Sequence, residues 1–304
     1  MLLAPRPGVS LDSLMQNLQG IRTEASNLRA GGGPSTAHKR LLAYLEWASR
    51  SARTLGYQIR ESDLASLVLT RRYELLLASA GMLTSSDTEV QRVVNGLVVL
   101  ELDERTDDFD EAIKSLRSER DRWAKAGVLV LPDSSFYIRH PDKLETADFA
   151  RLLSLWEESV HVLLPMVIVD ELDRLKQASK QHARWRAGYT LGVLDRLFTG
   201  TTGPTMMRER DDSPLRSGGI PRGRVNVELL FDPPGHVRLP INDDEIIDRA
   251  SAVQDLAERP VTLLTYDTGQ STRARNAGLT VVKLTEDIGP EPTPEDSRRG
   301  RGGS

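Results

Sequence analysis

The strongest constraint on the fold lies in the second half of the chain, where short apolar runs alternate with helical stretches from Gly127 onward. The runs are VLVLPD (128–133), VHVLLPMVIV (160–169), VTLLTYD (261–267) and LTVVKL (279–284). Continuous aliphatic and β-branched character, with no polar face, is what a strand buried on both sides requires. Helices are predicted between the runs, over Thr146–Ser159, over Asp170–Phe198, from Asp243 with Ile246, Ile247 and Ala250 on one face, and over TGQSTRARNAG after Asp267. Strand and helix in alternation predict an α/β domain with a mainly parallel sheet flanked by helices. The segment Thr199–Arg224, rich in Gly, Pro, Ser and Arg, reads as an insertion loop.

The first half carries the 3.6-residue period instead. Ser10-Leu11-Asp12 opens a helix with Leu14, Leu18, Ile21 and Leu28 on one face, and Gly31–Pro34 stops it. Ser35-Thr36 caps a second helix carrying Leu41, Leu42 and Leu45. A third is predicted over Asp63–Ser79, a fourth from Ser86-Asp87 through Glu101, and a fifth over Asp107–Trp123. With no strand expected before Gly127, this half reads as a helical bundle. The predicted organisation is therefore an all-α domain over 1–126, an α/β domain over 127–288 and a disordered tail over 289–304, where apolar content nearly vanishes.

Of 304 residues, none is cysteine, which excludes disulfides, thiolate metal sites and a cysteine nucleophile and suits a cytoplasmic protein. The apolar start is too short for a signal peptide, and no run approaches a membrane span. The five histidines show no zinc spacing, and Gly31–Gly33 is not a phosphate loop because it follows a helix and lacks a lysine. A net charge of −4 gives no overall attraction to nucleic acid, so a phosphate-bearing partner needs a local basic patch or a bound cation.

Chemistry is suggested by where the acids fall. Asp133 and Asp267 each follow a predicted strand, where side chains in an open parallel sheet point into the ligand crevice. Glu171 follows the run ending at Val169, and Asp243 opens a helix on the same side. Each acid alone is as well explained as a helix cap or a partner of a helix dipole. Together, four carboxylates in one pocket repel by several kcal/mol unless protons or divalent cations compensate. An all-oxygen donor set favours hard ions, Mg²⁺ or Mn²⁺.

The order of these motifs resembles that of PIN domains, most closely those found with PhoH-type ATPases and in RNA-decay nucleases. The matching segments are Leu131-Pro132-Asp133-Ser134-Ser135, Val167-Ile168-Val169-Asp170-Glu171-Leu172-Asp173-Arg174-Leu175-Lys176, Asn242-Asp243-Asp244-Glu245-Ile246-Ile247 and Leu264-Thr265-Tyr266-Asp267 with Arg273, Ala274 and Gly278 beyond. The resemblance implies a three-layer α/β/α fold and a metal-dependent endoribonuclease. It implies that Asp133, Glu171, Asp243 and Asp267 are catalytic, metal-site carboxylates for Mg²⁺ or Mn²⁺, supported by Asp244, Thr265 and Ser135. Asp243 is preferred over Asp244 because its spacing to Ile246 and Ala250 fits the family better. Ser135 in place of the usual Asn, and Gly-Gln-Ser after Asp267, depart from the pattern.

RNA is the expected substrate, with Arg184, Arg186 and Arg273 as the expected phosphate contacts. The helical half offers a surface for a protein partner or for self-association. Two other readings remain open: a ribonuclease toxin of a toxin–antitoxin pair, and a non-catalytic scaffold or RNA-binding module.

Overall fold

The computed structural model describes residues 3–6, 8–31, 36–81, 88–200, 203–233 and 235–286. Within these, five helices precede the first strand: α1 (Leu11–Arg29), α2 (Ala37–Leu55), α3 (Glu61–Leu67), α4 (Arg71–Ser79) and α5 (Thr88–Ala124). The expected disordered tail, the Gly-rich stop before α2 and the Ser86-Asp87 start lie outside the described residues. Leu11, Leu14, Leu18, Leu41, Tyr44, Trp47, Val98, Leu102, Phe109 and Leu116 are fully buried in one apolar cluster.

Two predictions in this half are corrected. The third helix is two, because Thr70 accepts a hydrogen bond from Tyr73 N and starts α4 as its cap. The fourth and fifth are one 37-residue helix, about 55 Å long. No Gly or Pro interrupts it between Glu101 and Asp107. Arg105 sits there nearly buried, pairing with Glu101 one turn back and with Asp108 one turn on.

The second half holds β1 (Val128–Pro132), α6 (Ser134–Arg139), α7 (Phe149–Leu152), β2 (Val160–Pro165), α8 (Met166–Leu175), α9 (Gln181–Leu197), β3 (Thr205–Arg208), β4 (Val225–Leu230), α10 (Asn242–Ala257), β5 (Val261–Thr265), α11 (Thr268–Asn276) and β6 (Thr280–Lys283). The sheet runs β3-β4-β2-β1-β5-β6 and is parallel throughout except for the β3–β4 pair. Leu129, Val130, Leu131, Val162, Leu163, Leu164, Val227, Leu263 and Leu264 are buried to 1% or less, as strands covered on both faces must be. The sequence reading thus holds for the α/β class and for a largely parallel sheet.

Several local expectations differ. The run 160–169 is a strand only as far as Pro165, which has no N–H to extend a ladder and instead begins α8. Glu171 therefore stands in the second turn of a helix and not at its start. The helix expected over 170–198 is broken at 176–180 into α8 and α9, and of the helix expected over 146–159 only α7 forms. The Thr199–Arg224 insertion is not all loop, since β3 forms the antiparallel edge, and β4 beyond it was not anticipated.

Gly127 marks the junction between the two halves for a steric reason. A Cβ there would lie 2.1 Å from the Ser159 carbonyl oxygen, which accepts from Val128 N at 2.7 Å to open the β1–β2 pairing. Two main chains meet at this point, so no side chain can move aside. Gly127→Ala is expected to destabilise the protein by at least 1–3 kcal/mol, roughly the range for overpacking, read from the urea unfolding midpoint.

Candidate active site

β1 and β5 are adjacent and parallel, with Pro132 opposite Leu264, so both chains leave the sheet side by side. Asp133 leaves β1 and its backbone N–H donates to the Leu264 carbonyl at 3.0 Å. Its carboxylate is 4% exposed and caps α6, with Oδ1 accepting from Phe136 N at 3.1 Å and from Ser135 Oγ at 2.5 Å. Oδ2 accepts from Thr265 Oγ1, which itself accepts from Asp267 N at 2.8 Å. Ser135 Oγ in turn accepts from Tyr266 N at 2.9 Å. Two hydroxyls thus lock the ends of β1 and β5 together around one buried carboxylate.

Asp267 is exposed and caps α11 through Gln270 N at 2.9 Å. The cap reading of both aspartates is correct, and it coexists with a shared edge. Asp243 lies in the first turn of α10. The buried Gln270 amide, turned with its nitrogen toward Asp243, donates to Oδ1 at 2.8 Å and Oδ2 at 3.3 Å. Glu171 Oε1 accepts from Asn242 Nδ2 at 2.7 Å, which ties the second turn of α8 to the start of α10. Sequence reasoning missed Gln270 and Asn242, although both stand within three residues of an acid it named.

The electrostatics join these residues into one group. Burial pushes the Asp133 carboxyl above the usual range, against the pull of its hydrogen bonds from Ser135, Thr265 and Phe136, and the charge on Asp243 adds to the rise. Asp243 is raised by burial and by Asp267, with Arg273 opposing and Glu171 and Asp244 adding further. Asp243 interacts electrostatically with Asp133, Glu171 and Asp267. Asp244 is 3.3 Å from Arg273 Nη1, which also lies 3.5 Å from Asp243.

The four acids surround an edge without closing on a point: among the described residues, no three of them bring one oxygen each within 4.8 Å of one another. The group that does is His236, Glu245 and Asp248, at the first two turns of α10 and its lead-in. Arg249 reaches both of its acids and Arg60 reaches Asp248, so these charges are balanced by guanidinium groups.

The expected RNA contacts separate. Arg273 is exposed and faces the acids. Arg184 is exposed on α9. Arg186 is not available to a phosphate, which corrects the expectation. It is 5% exposed, and its guanidinium donates to the carbonyls of Tyr137 at 2.9 Å, His140 at 2.8 Å and Asp142 at 2.7 Å. Arg186 fixes the segment after α6 in place of a backbone ladder.

A mainly parallel α/β sheet with acids at the carboxyl ends of neighbouring strands places them where open α/β folds bind ligands. The PIN domain family model matches residues 130–285, more than half of the chain, and the chain belongs to this family. PIN domains are typically nucleases and generally use divalent metals. No curated protein matches the chain. Among the described residues, no helix is long and apolar enough to cross a membrane.

Proposed function

We propose that this chain is a metal-dependent endoribonuclease and that Asp133, Glu171, Asp243 and Asp267 hold Mg²⁺ or Mn²⁺. The observation that carries this reading is the buried Asp133 carboxylate, fixed by Ser135 and Thr265 at the carboxyl end of β1, with three further acids on α8, on α10 and at the cap of α11. The donor set fits the ion. A carboxylate offers about four lone-pair sites, and the three hydrogen bonds to Asp133 leave capacity for a cation. The only donors are hard oxygens, and the mutual charge is what a divalent ion would offset. A bound ion of this kind activates water and stabilises charge on a phosphodiester.

The remaining work falls to the chain itself. Thr265 and Ser135 orient Asp133, Asn242 orients Glu171, and Gln270 orients Asp243. Arg273 stands beside the acids where a guanidinium can meet a phosphate of the scissile region. Fixing these groups on element ends supplies the preorganised geometry that phosphodiester cleavage needs.

The test is cleavage of single-stranded and structured RNA by the purified protein with Mn²⁺, alongside titration calorimetry of Mn²⁺ binding. Asp133→Asn and Asp267→Asn are each expected to lose at least about a thousandfold in rate, ~4 kcal/mol in the barrier. Asparagine also caps helices, so the circular dichroism spectrum should not change. Cleavage that persists in both variants, or wild-type protein that binds no Mn²⁺, refutes the assignment.

A further inference from the structure

Helix α9 carries an aromatic pair that the carboxylate site does not use. Trp185 is 52% exposed, and its ring stacks on Tyr189 one turn later, with centroids 5.3 Å apart and planes at 22°. Lys143 Nζ lies 4.5 Å from the Tyr189 centroid and 5.5 Å from that of Trp185. An i, i+4 aromatic pair supports a helix by only about 0.2–0.5 kcal/mol. That is far less than the ~1.5–3 kcal/mol gained by burying a large apolar side chain. The stacked pair leaves about half of Trp185 in water, where the indole is open to a further partner.

Two features of the surroundings point to what that partner is. The patch is rich in cations, with Lys143 at both rings and Lys180 and Arg184 exposed at the start of the same helix, and the acid Glu145 accepts from the Tyr189 hydroxyl at 2.9 Å. It is also rigidly joined to the acidic edge. Arg186, next to Trp185 in the chain, clamps the carbonyls of Tyr137, His140 and Asp142, and His182 Nε2 lies 3.2 Å from the Ile138 carbonyl. His140 Nδ1 is 3.0 Å from the hydroxyl of Tyr266, which separates Thr265 from Asp267. Arg139, whose Nε and Nη2 donate to Glu286 at 2.7 and 2.8 Å, holds its guanidinium 5.3 Å above the Tyr266 ring.

We propose that Trp185 and Tyr189, flanked by Lys143, Arg184 and Lys180, form a stacking platform for the bases of single-stranded RNA that runs from the carboxylate edge past Arg139. The inference rests on the endoribonuclease reading for its direction, since it places the platform on the substrate strand beside the cleaved bond. Aromatic faces take any unpaired base, and cations follow the backbone, so the platform selects single strands without selecting sequence. A duplex keeps its bases in its own stack and has none to offer.

The experiment uses the full-length protein in EDTA, where metal-dependent cleavage is off, and a fluorescently labelled oligouridylate read by anisotropy. Trp185→Ala is expected to weaken binding at least about fivefold, the lower end for loss of one stacked base. Trp185→Phe should retain most of the affinity. An abasic oligonucleotide of the same length should bind the wild type and Trp185→Ala equally. Unchanged oligouridylate affinity in Trp185→Ala, or an equal loss on the abasic strand, overturns the platform. So does a protein partner whose capture needs Trp185 while oligouridylate binding does not. A parallel Mn²⁺ cleavage assay separates the two proposals. Trp185-dependent binding without wild-type cleavage removes the nuclease reading and leaves the platform. Cleavage with binding indifferent to Trp185 does the reverse.

Discussion

Asp243→Asn is expected to lose RNA cleavage and, in the same protein without metal, to gain stability. The loss should reach about a thousandfold or more, because the substitution removes one of four charges proposed to hold the cation. The gain follows from the raised position of the Asp243 carboxyl, where burial and the charges on Asp267, Glu171 and Asp244 outweigh Arg273. Its side chain is 43% exposed, so solvent screens much of the repulsion and the benefit is about 0.5 kcal/mol. That corresponds to a rise of roughly 1–2 °C in Tm.

A carboxyl raised in the folded state penalises folding while it is charged, above its folded pKa, and the penalty fades as pH falls through that value toward the unfolded one. The advantage of the variant over wild type should therefore be greatest near neutrality and vanish below about pH 4. Saturating Mn²⁺ should reverse the ranking, since ligand at a hundred times Kd adds about 2.7 kcal/mol to the wild type. Calorimetric melting in EDTA and in Mn²⁺ at several pH values checks each part. A variant less stable than wild type in EDTA at neutral pH would contradict the charge-repulsion account.

Glu245→Ala is expected to damage the fold and the chemistry together. Glu245 is 1% exposed, accepts from Leu239 N at 2.9 Å and pairs with His236 Nε2 at 2.8 Å and Arg249 Nε at 3.5 Å. Removing it strips Arg249, itself 6% exposed, of one of its two acids and frees the 236–239 stretch from α10. Breaking a buried pair from one side costs about 3–5 kcal/mol. Asn242 and Asp243 begin the same helix, so cleavage should fall with stability. The urea midpoint and the cleavage rate measure the two effects, and a drop below 1 kcal/mol would show that Arg249 and Asp248 suffice alone. EDTA should leave the wild-type midpoint unchanged as far as this cluster is concerned, because guanidinium groups already balance it.

How much of this was legible in the sequence depends on range. Strands β1 and β5 were readable because continuous apolar runs ending at Asp133 and Asp267 have one simple explanation, burial between two helical layers, and the half-buried edge strand β6 was readable from its β-branched run. The end of β2 was misread because Met166–Val169 is as apolar as the strand before it, and only the backbone limits of Pro165 separate them. Strand β4 mixes Asn226 and Glu228 with valines, since Glu228 is buried against His161 and Arg122, a partnership no local pattern reveals. The two helices predicted over 86–123 are joined by the ion pairs of Arg105, which involve spacing the sequence shows but packing it does not. At the site, acids were found by their position after strands, whereas Arg186 looked like its exposed neighbour Arg184. Only the fold reveals that one faces three carbonyls and the other water.

The double duty of Asp133 and Asp267 has a consequence for descent. Each begins a helix, a task that asparagine performs about as well, and each contributes a negative charge, which asparagine lacks. Under the proposed function, Asp133→Asn or Asp267→Asn would remove that charge while sparing the helix cap. If these acids hold the proposed cation, a protein of unchanged shape and no activity lies one substitution away.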